Sequence, residues 1–260
     1  IDLHKMTQTK VANGFVRRIR FKEKVAGPSQ QPQVTDVTDF PKQFYWGKAN
    51  AMKIFKEHWG VQSQHDFLPP VSRNLRCGDV DFNKIGSKFA ETLFSGGTFN
   101  THIHTSDFSL MSIEEQHDAM KWDAFLLKKK HMSLQLGKDN VNEMWLWHGT
   151  RPSRVNSLLL NGFDRNFGDR MEYGDGVYFA VNSSYSFYDG FAAVEKNNGQ
   201  QEKVLLLSRV LIGETCQGFR GKKVPDTKAD GTFCNSMTNN MSNPEMYILS
   251  AGSDNQSYIQ

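Results

Sequence analysis

Cysteine is scarce in this chain of 260 residues. Its three cysteines, Cys77, Cys216 and Cys234, are an odd number and show no C-x-x-C spacing. This pattern argues against a disulfide-stapled secreted domain and against a zinc module built on paired cysteines. We expect reduced thiols, and we predict an intracellular protein of the nucleus, the cytoplasm or both.

Long hydrophobic runs are also missing, because no apolar stretch approaches the ~20 residues that a membrane helix needs. We therefore predict no membrane partner. The chain begins with Ile1 rather than methionine, and no signal-peptide core follows. We expect it to be a segment of a longer protein. His102 and His104 alternate as on one strand face, but no acidic residue or cysteine with ligand spacing joins them, so we predict no metal site.

A large net charge is absent too, since the formal charge is only +3. The basic residues are nevertheless concentrated at the start, where residues 1–24 hold seven Lys and Arg against two Asp and Glu. A basic end suits a phosphate-bearing partner such as nucleic acid or a nucleotide polymer. A solvated strand face is the alternative interpretation, and composition alone does not separate the two.

The first half of the chain predicts one strand, a linker and two helices. Alternating residues over 15–21, after the Asn13-Gly14 turn, indicate a strand. Residues 26–42 have linker composition. Helical spacing is found over 79–94, at Val80, Ile85, Phe89 and Leu93. A second helix is predicted over 113–130, with apolar positions at Met120, Ala124 and Leu127 and with Lys128, Lys129 and Lys130 at its end.

Strands dominate the second half. Apolar runs predict strands over 144–148, 177–181, 204–212 and 246–249. A helix is predicted over 152–161, with Asn161-Gly162 as its cap. Strands that dominate one region and helices that dominate another indicate an α+β fold with antiparallel sheets.

Two short segments carry candidate chemistry. A glycine directly after a histidine at a strand end, His148-Gly149, lets the backbone approach a ligand closely, and the imidazole can hydrogen-bond a sugar hydroxyl. Tyr178 offers a flat ring, and Tyr188 or Phe191 can close a slot around a planar group. Hydroxyls beside that slot come from Ser183, Ser184 and Ser186. Each segment taken alone also fits an ordinary turn or core strand.

Five motifs occur together in a familiar order: Leu146-Trp147-His148-Gly149-Thr150, Gly162-Phe163-Asp164-Arg165, Tyr173 to Ala180, Ser184-Tyr185-Ser186 and Ser208 to Gly213. In this order they resemble the catalytic domain of the poly(ADP-ribose) polymerase family. The mono-ADP-ribosylating branch, whose members carry macro domains, is the most similar. The resemblance implies two packed, mostly antiparallel sheets with flanking helices, and NAD as co-substrate without a metal.

Site roles follow from that resemblance. His148 resembles the residue that hydrogen-bonds the ribose of NAD, with Thr150 beside it. Gly149, through its backbone, and Ser186 resemble the groups that bind the nicotinamide carboxamide. Tyr178 is similar to the second signature residue, which lines the nicotinamide slot.

Three further positions complete the implied NAD site. The stacking aromatic falls nearest Phe191, with Tyr188 as the alternative. Residues 164–174 are similar to the loop that covers the site, and this places Arg165 near the adenosine.

The third signature position decides the product. Polymerising members of the family have a glutamate directly before an aromatic residue on a late strand. The residue before Tyr247 here is Met246, and a thioether cannot act as a general base. Glu245 is one residue early, which on a strand turns its side chain to the opposite face, unless a bulge shifts the register. With Met246 at this third catalytic position, the resemblance implies that at most one ADP-ribose is transferred.

The N-terminal stretch resembles the end of a WWE domain, a half-barrel that in several families binds a unit of poly(ADP-ribose). Gln8 and Arg17 match ligand-contacting positions of that domain. We therefore predict a WWE-like remnant over residues 1–22, a linker and lead-in over 23–76 and an ADP-ribosyltransferase domain over 77–260.

Three functions remain open at the level of sequence. The first is a mono-ADP-ribosyltransferase of the pentosyltransferase class, which modifies Glu or Asp side chains of protein acceptors, with nucleic-acid ends as another acceptor. The second is a catalytically inactive NAD-fold scaffold. The third is a module that binds RNA or poly(ADP-ribose), through the basic N-terminus or through upstream domains.

Overall fold

The computed structural model describes residues 16–23, 71–94, 108–168, 171–188, 190–197, 200–250 and 257–259. Within these residues the α-helices are α1 (Val80–Phe94), α2 (Ala119–Leu136), α3 (Val155–Asn161) and α4 (Ser183–Phe187). The strands of these residues are β1 (Val16–Glu23), β2 (Val71–Leu75), β3 (Phe108–His117), β4 (Glu143–Thr150), β5 (Val177–Ala180), β6 (Glu195–Asn197), β7 (Gln200–Leu211), β8 (Thr215–Gln217), β9 (Ser236–Thr238), β10 (Met246–Leu249) and β11 (Ser257–Ile259).

Nine of these strands join into one continuous hydrogen-bonded path, in the order β2-β3-β1-β7-β4-β5-β10-β9-β8, and β6 and β11 each pair with β7. Strand β7 is central and pairs with β4 from Val204 to Leu211, where its side chains are buried. Every pairing in the described ranges is antiparallel except that of β8 with β9. The predicted α+β class and the mostly antiparallel strands are confirmed.

Helix α1 packs on the sheet beside β4 and α4. Phe89 on α1 meets Trp147 of β4 edge-on at 5.8 Å between ring centroids, and Phe187 of α4 at 5.7 Å. All three rings are buried. Close packing of this kind resists displacement, so α4 is fixed against β4 directly beside His148. The helix was predicted with Val80 in its apolar stripe, but Val80 is exposed and Phe82 is buried instead.

The predicted helix over 113–130 is wrong at its start. Residues 108–117 form β3, in which Ile113, Glu115 and His117 alternate as buried positions. The helix begins only after Asp118, whose carboxylate accepts the backbone N–H groups of Met120 and Lys121 at 3.0 and 3.1 Å. Such a cap satisfies N–H groups that the first turn leaves unpaired.

The buried face of α2 also differs from the predicted one. Met120 and Leu127 are exposed, whereas Trp122, Phe125 and Met132 are buried. The helix runs on to Leu136, so the three lysines at 128–130 lie in its middle and not at its end.

Strands β1 and β2 come from segments that were predicted to precede the catalytic domain. Strand β1 pairs with both β3 and β7, and its Arg17 lies opposite Leu207. Strand β2 pairs with β3. Gln8, the other predicted ligand-contacting position, lies outside the described residues, as do His102 and His104. The WWE-like remnant over 1–22 and the boundaries at 22 and 76 stay predictions.

The described helices include none that is long and apolar enough to cross a membrane.

We predict that the chain loses stability in mild acid because of His117, the buried histidine at the end of β3. Burial lowers the pKa of His117 from 6.5 to about 4, although the Asp118 carboxylate opposes this shift. Below pH 6.5 the unfolded chain therefore binds a proton that the folded chain excludes. Between pH 6.5 and 4 this linkage lowers the free energy of unfolding by about 3 kcal/mol. Urea unfolding at pH 7 and pH 4.5 measures it.

His117→Asn should reduce that pH-dependent loss by roughly 2 kcal/mol, whatever it does to stability at pH 7. His131→Asn is the matched control, because His131 is exposed on α2. If the free energy of unfolding falls equally with pH in His117→Asn and in the unmodified chain, the loss does not come from His117.

Candidate active site

A cavity of about 550 Å³ opens where β4 and β5 separate. The two strands are paired only at Trp147 and Ala180, and beyond that point the chain after β4 turns into the segment that leads to α3. The volume lies in the range of small-molecule sites in proteins. Six of the predicted NAD-binding residues line the cavity: His148, Gly149, Thr150, Arg165, Tyr178 and Phe191.

The His148 imidazole is fixed between β5 and the segment after α3. Its Nδ1 lies 2.8 Å from the Tyr178 carbonyl oxygen, which can only accept, so Nδ1 carries the hydrogen. Phe163 and Phe179 pack against the ring at centroid distances of 4.7 and 5.7 Å. Burial lowers the pKa of His148, although the bond to Tyr178 opposes the shift. The neutral ring therefore presents Nε2 as an acceptor.

Phe163 has a role that the sequence analysis missed. It lies in the Gly162-Phe163-Asp164-Arg165 motif, and its ring packs on both His148 and Phe179. The available signal in the sequence was its place directly after Gly162. That glycine caps α3 with a φ of +81°. A ring held in this position restricts the rotation of the imidazole.

Gly149 is a glycine because nothing larger fits. A Cβ atom on this residue would lie 2.2 Å from the carbonyl oxygen of Ser186 and 3.1 Å from the Cβ of Phe191. The first distance is far inside van der Waals contact, and the atom it meets belongs to the backbone. The β4 backbone therefore lies directly against α4, and this brings Gly149 and Ser186 close together.

Tyr178 holds the loop that precedes it. Its hydroxyl donates to the carbonyl of Gly174 at 2.8 Å and accepts the backbone N–H of Tyr173 at 2.9 Å. Burial, with a contribution from nearby acidic residues, raises the pKa of Tyr178 to about 12. The hydroxyl thus stays protonated at neutral pH and fixes the base of the covering loop, while the residue lines the cavity.

Of the two predicted stacking candidates, Phe191 lines the cavity. Tyr188 is 39% exposed and meets Phe191 edge-on at 5.9 Å. Tyr185, to which no role was given, stacks on Phe191 at a centroid distance of 5.1 Å and an interplanar angle of 15°. Burial, followed by the neighbouring Tyr173 and Tyr178, raises the pKa of Tyr185 to about 12.

The three serines of α4, Ser183, Ser184 and Ser186, make different contacts. The Ser183 hydroxyl donates to the Phe89 carbonyl at 2.8 Å and lies 2.9 Å from the Thr92 hydroxyl. It therefore joins α4 to α1, and Ser183, Ser184 and Ser186 are not among the residues that line the cavity. Ser184 and Ser186 are buried in α4, where Ser186 contacts Gly149 through its carbonyl.

Three arginines line the cavity. Arg165 begins a short 3-10 turn, capped by the Asp164 carboxylate, which accepts the Asn166 N–H at 2.8 Å. Arg151 and Arg154, which were not among the predicted site residues, line the same cavity. Three guanidinium groups in one pocket favour a ligand with phosphate groups.

The third signature position is occupied by Met246, whose side chain carries a thioether. Met246 pairs with Ala180, and Ile248 pairs with Tyr178, so Met246 lies on the Tyr178 side of the sheet. Its side chain is buried in a cluster against which Tyr178 and Tyr185 pack, although it does not line the cavity itself.

Glu245 has a different position. It precedes the strand, and its carboxylate accepts from the Asn239 side chain at 3.2 Å, while its N–H donates back to the Asn239 Oδ1 at 3.1 Å. The pairing of β10 with β5 agrees with the predicted register, in which Met246 and not Glu245 shares the face of Tyr178. In the part of the chain that the structure describes, no group of three or more metal-binding side chains could hold an ion.

Comparison with known proteins adds an independent line of evidence. The family model of the poly(ADP-ribose) polymerase catalytic domain matches residues 87–253. The chain is 29% identical over 74% of its length to human protein mono-ADP-ribosyltransferase PARP14, and 28% identical over 96% to human protein mono-ADP-ribosyltransferase PARP12. Mouse protein mono-ADP-ribosyltransferase PARP10 is 32% identical over 41% of the chain. These matches span 10%, 32% and 11% of the respective relatives, so the chain corresponds to a minor part of each.

Proposed function

The chain belongs to the poly(ADP-ribose) polymerase catalytic-domain family, and from this premise we propose that it transfers one ADP-ribose unit from NAD to a protein acceptor and releases nicotinamide. The observation that carries the single-transfer proposal is Met246, buried beside Tyr178 and Tyr185 where polymerisation needs a carboxylate. The names of the similar mono-ADP-ribosyltransferases support the same reaction class.

NAD binding is proposed along the whole cavity. The His148 Nε2 accepts a ribose hydroxyl, and Thr150 lines the wall beside it. The Gly149 backbone and Ser186 bind the nicotinamide amide, next to the rings of Tyr178 and Phe191. Arg165, with Arg151 and Arg154, lines the same cavity and binds the diphosphate or the adenosine side of the ligand.

The proposed chemistry needs no enzyme nucleophile. The bond between the nicotinamide nitrogen and the ribose breaks, and its electron pair leaves with the nicotinamide. The ribose carbon becomes oxocarbenium-like and bonds to the incoming acceptor oxygen. The chain contributes by binding the leaving amide and by holding the sugar in place for attack.

The acceptor class follows from the third signature position, where Met246 supplies no carboxylate. His148 is neutral but buried against the Tyr178 carbonyl, and the tyrosine hydroxyls keep their protons. An acceptor that is already ionised at neutral pH requires no deprotonation, and Asp and Glu side chains meet this condition. We therefore propose acidic side chains of proteins as acceptors, in an intracellular setting of nucleus or cytoplasm.

A second candidate, a catalytically silent NAD-fold module, is favoured by one observation. The Tyr185 and Phe191 rings stack on each other at 5.1 Å. A third ring between them would need roughly 7 Å, twice a carbon–carbon contact. Nicotinamide must therefore use the other face of Phe191 or displace this ring, and a chain in which neither occurs would be inactive.

Product length tests both candidates. After incubation with labelled NAD, we expect label on the chain itself or on an added acidic protein, and release at alkaline pH should yield single ADP-ribose units. Met246→Glu should also give single units, because the new carboxylate enters a site buried among Met237, Ile248 and Tyr178 without any change in the acceptor loops. Electrophoresis of the released label measures chain length.

The control is Met241→Glu, at an exposed methionine that lies outside strand β10, a few residues before it. If Met246→Glu forms long ADP-ribose chains and Met241→Glu does not, a carboxylate at position 246 is sufficient for polymerisation and the prediction is wrong. No label at millimolar NAD in a protein that melts cooperatively would instead favour the silent module.

A further inference from the structure

Helix α2 carries apolar side chains on its solvent face as well as on the face that packs on the sheet. Met120, Leu127 and Leu134 are 62%, 69% and 78% exposed. Residues seven apart lie on one side of an α-helix, two turns from each other, so these three side chains form a row about 21 Å long. Single exposed apolar residues are ordinary on protein surfaces, but an aligned row of large ones marks an interaction surface.

Two exposed charges of opposite sign complete the row. Asp123 lies between the first and the second apolar residue, and Lys130 lies between the second and the third. With 3.6 residues in each turn, all five side chains leave the helix within an arc of about 80°. The buried residues of α2 leave it on the opposite side. The name α2 stripe is used below for Met120, Asp123, Leu127, Lys130 and Leu134.

Two neighbouring lysines of α2 are already paired within the chain. The Lys121 ammonium lies 3.2 Å from the Asp118 carboxylate and donates to the Leu160 carbonyl at 2.9 Å. The Lys129 ammonium lies 2.6 Å from the Glu143 carboxylate. Both lysines are thus directed at acceptors of the chain itself, and the α2 stripe presents one acid followed by one base to solvent.

We infer that the α2 stripe is a self-association surface, on which a second copy of this chain docks its own α2 in the antiparallel direction. The stripe is symmetric about Leu127, because an apolar residue stands seven positions before it and another stands seven positions after it. In a two-fold interface each contact occurs twice, with the partners exchanged. Leu127 then meets the second copy's Leu127, and Met120 meets the second copy's Leu134.

Charge complementarity selects this arrangement. Asp123 is four residues before the axis at Leu127, and Lys130 is three residues after it, so antiparallel docking sets each acid beside the base of the other copy. The interface gains two exposed ion pairs, which determine direction and register more than affinity. Parallel docking would instead oppose acid to acid and base to base.

The dimer should be weak, because one helix row buries less area than the ~1,600 Å² of a standard stable interface. Sedimentation velocity of the full chain, from about 5 to about 200 μM in low salt, measures it. We expect the weight-average mass to rise with concentration, from that of one chain toward that of two. No transfer of ADP-ribose is measured, so the outcome is independent of the proposed function.

Leu127→Glu opposes two carboxylates at the axis and should remain monomeric at every concentration. Because the Leu127 side chain is largely exposed, the melting temperature of this variant should stay close to that of the unmodified chain. Met241→Glu is the matched control, since it adds the same charge at an exposed apolar residue outside α2. It should associate like the unmodified chain.

Charge exchange tests the direction of docking. Asp123→Lys and Lys130→Asp each set like charges against one another across the interface, and each should weaken association about fivefold in low salt. The variant with both substitutions again pairs opposite charges and should associate as strongly as the unmodified chain. Parallel docking predicts no such loss and recovery. The inference is overturned if the unmodified chain is monomeric at the highest concentration, if Leu127→Glu associates as strongly, or if the double variant does not recover.

Discussion

Gly149→Trp is expected to leave no detectable transfer of ADP-ribose from NAD. The site has no space even for the first atom of a side chain, since a Cβ on Gly149 would lie 2.2 Å from the Ser186 carbonyl oxygen and 3.0 Å from the Ala192 nitrogen. The indole would have to enter the cavity beside Phe191 or push α4 away from β4. Either movement removes the surface on which we propose that the nicotinamide amide binds.

Gly149→Ala provides a graded form of the same experiment. Its methyl group requires the Ser186 carbonyl to move by about 1 Å, and a displacement of this size in a positioning group costs on the order of 100-fold in rate. We expect kcat/KM for NAD to fall by that factor, and a nicotinamide mimic that raises the melting temperature of the unmodified chain should lose this effect.

The control for both variants is Gly221→Ala. Gly221 has a φ of +86° with open space around its Cα, so alanine there costs roughly 1 kcal/mol of backbone strain without contacting the cavity. Transfer should persist in this variant. Full activity in Gly149→Ala, with unchanged affinity for the mimic, would show that the amide does not bind against this backbone.

The strands that build the site were predictable because most of their residues are apolar and none is exposed. Strands β4, β5 and β10 are short apolar runs bounded by turn residues, and buried strands have this pattern. The register at Met246 also followed from sequence, since the alternation of a strand places Glu245 and Met246 on opposite sides. Local pattern was sufficient at these positions.

Strand β3 was mistaken for a helix because its buried positions include charged and titratable residues. Glu115 is fully buried, and its carboxylate is paired with the Arg73 guanidinium at 2.6 Å. Arg73 is 42 residues earlier in the chain, on β2. A glutamate whose partner is this distant looks like a surface residue in the sequence, and it hides the period of two that defines the strand.

The aromatic side of the site depended on a turn that the sequence did not specify. The N–H groups of Phe191 and Ala192 both donate to the Tyr188 carbonyl, at 2.8 and 3.0 Å. This turn brings Phe191 back onto Tyr185 and leaves Tyr188 outside the cavity. The spacing in the sequence left Phe191 and Tyr188 as candidates for the stacking residue, and only the fold of this turn distinguishes them.

His148→Ala is expected to reduce kcat/KM for NAD by roughly 100- to 1000-fold, through loss of a positioned hydrogen bond in a buried site. The substitution also leaves the Tyr178 carbonyl without its partner and opens a space beside Phe163 and Phe179. His148→Gln keeps a donor for that carbonyl and should melt closer to the unmodified chain, yet remain defective in transfer. Labelled NAD with purified variants, and thermal melting of each, measure the two effects separately.

The pH profile of the unmodified chain separates positioning by a neutral imidazole from action by a protonated one. Because burial lowers the pKa of His148 below its usual 6.5, the ring stays neutral at and somewhat below that pH. We therefore expect kcat/KM to be flat from pH 8 to about pH 6.5 and to fall only in more acidic solution, as the proton adds to Nε2 and removes the acceptor. His131→Ala, at an exposed histidine of α2, should reproduce the profile of the unmodified chain. A rate that instead rises as the pH falls through 6.5 would mean that the imidazolium donates to NAD, and the tautomer assigned from the Tyr178 bond would not be the reactive one.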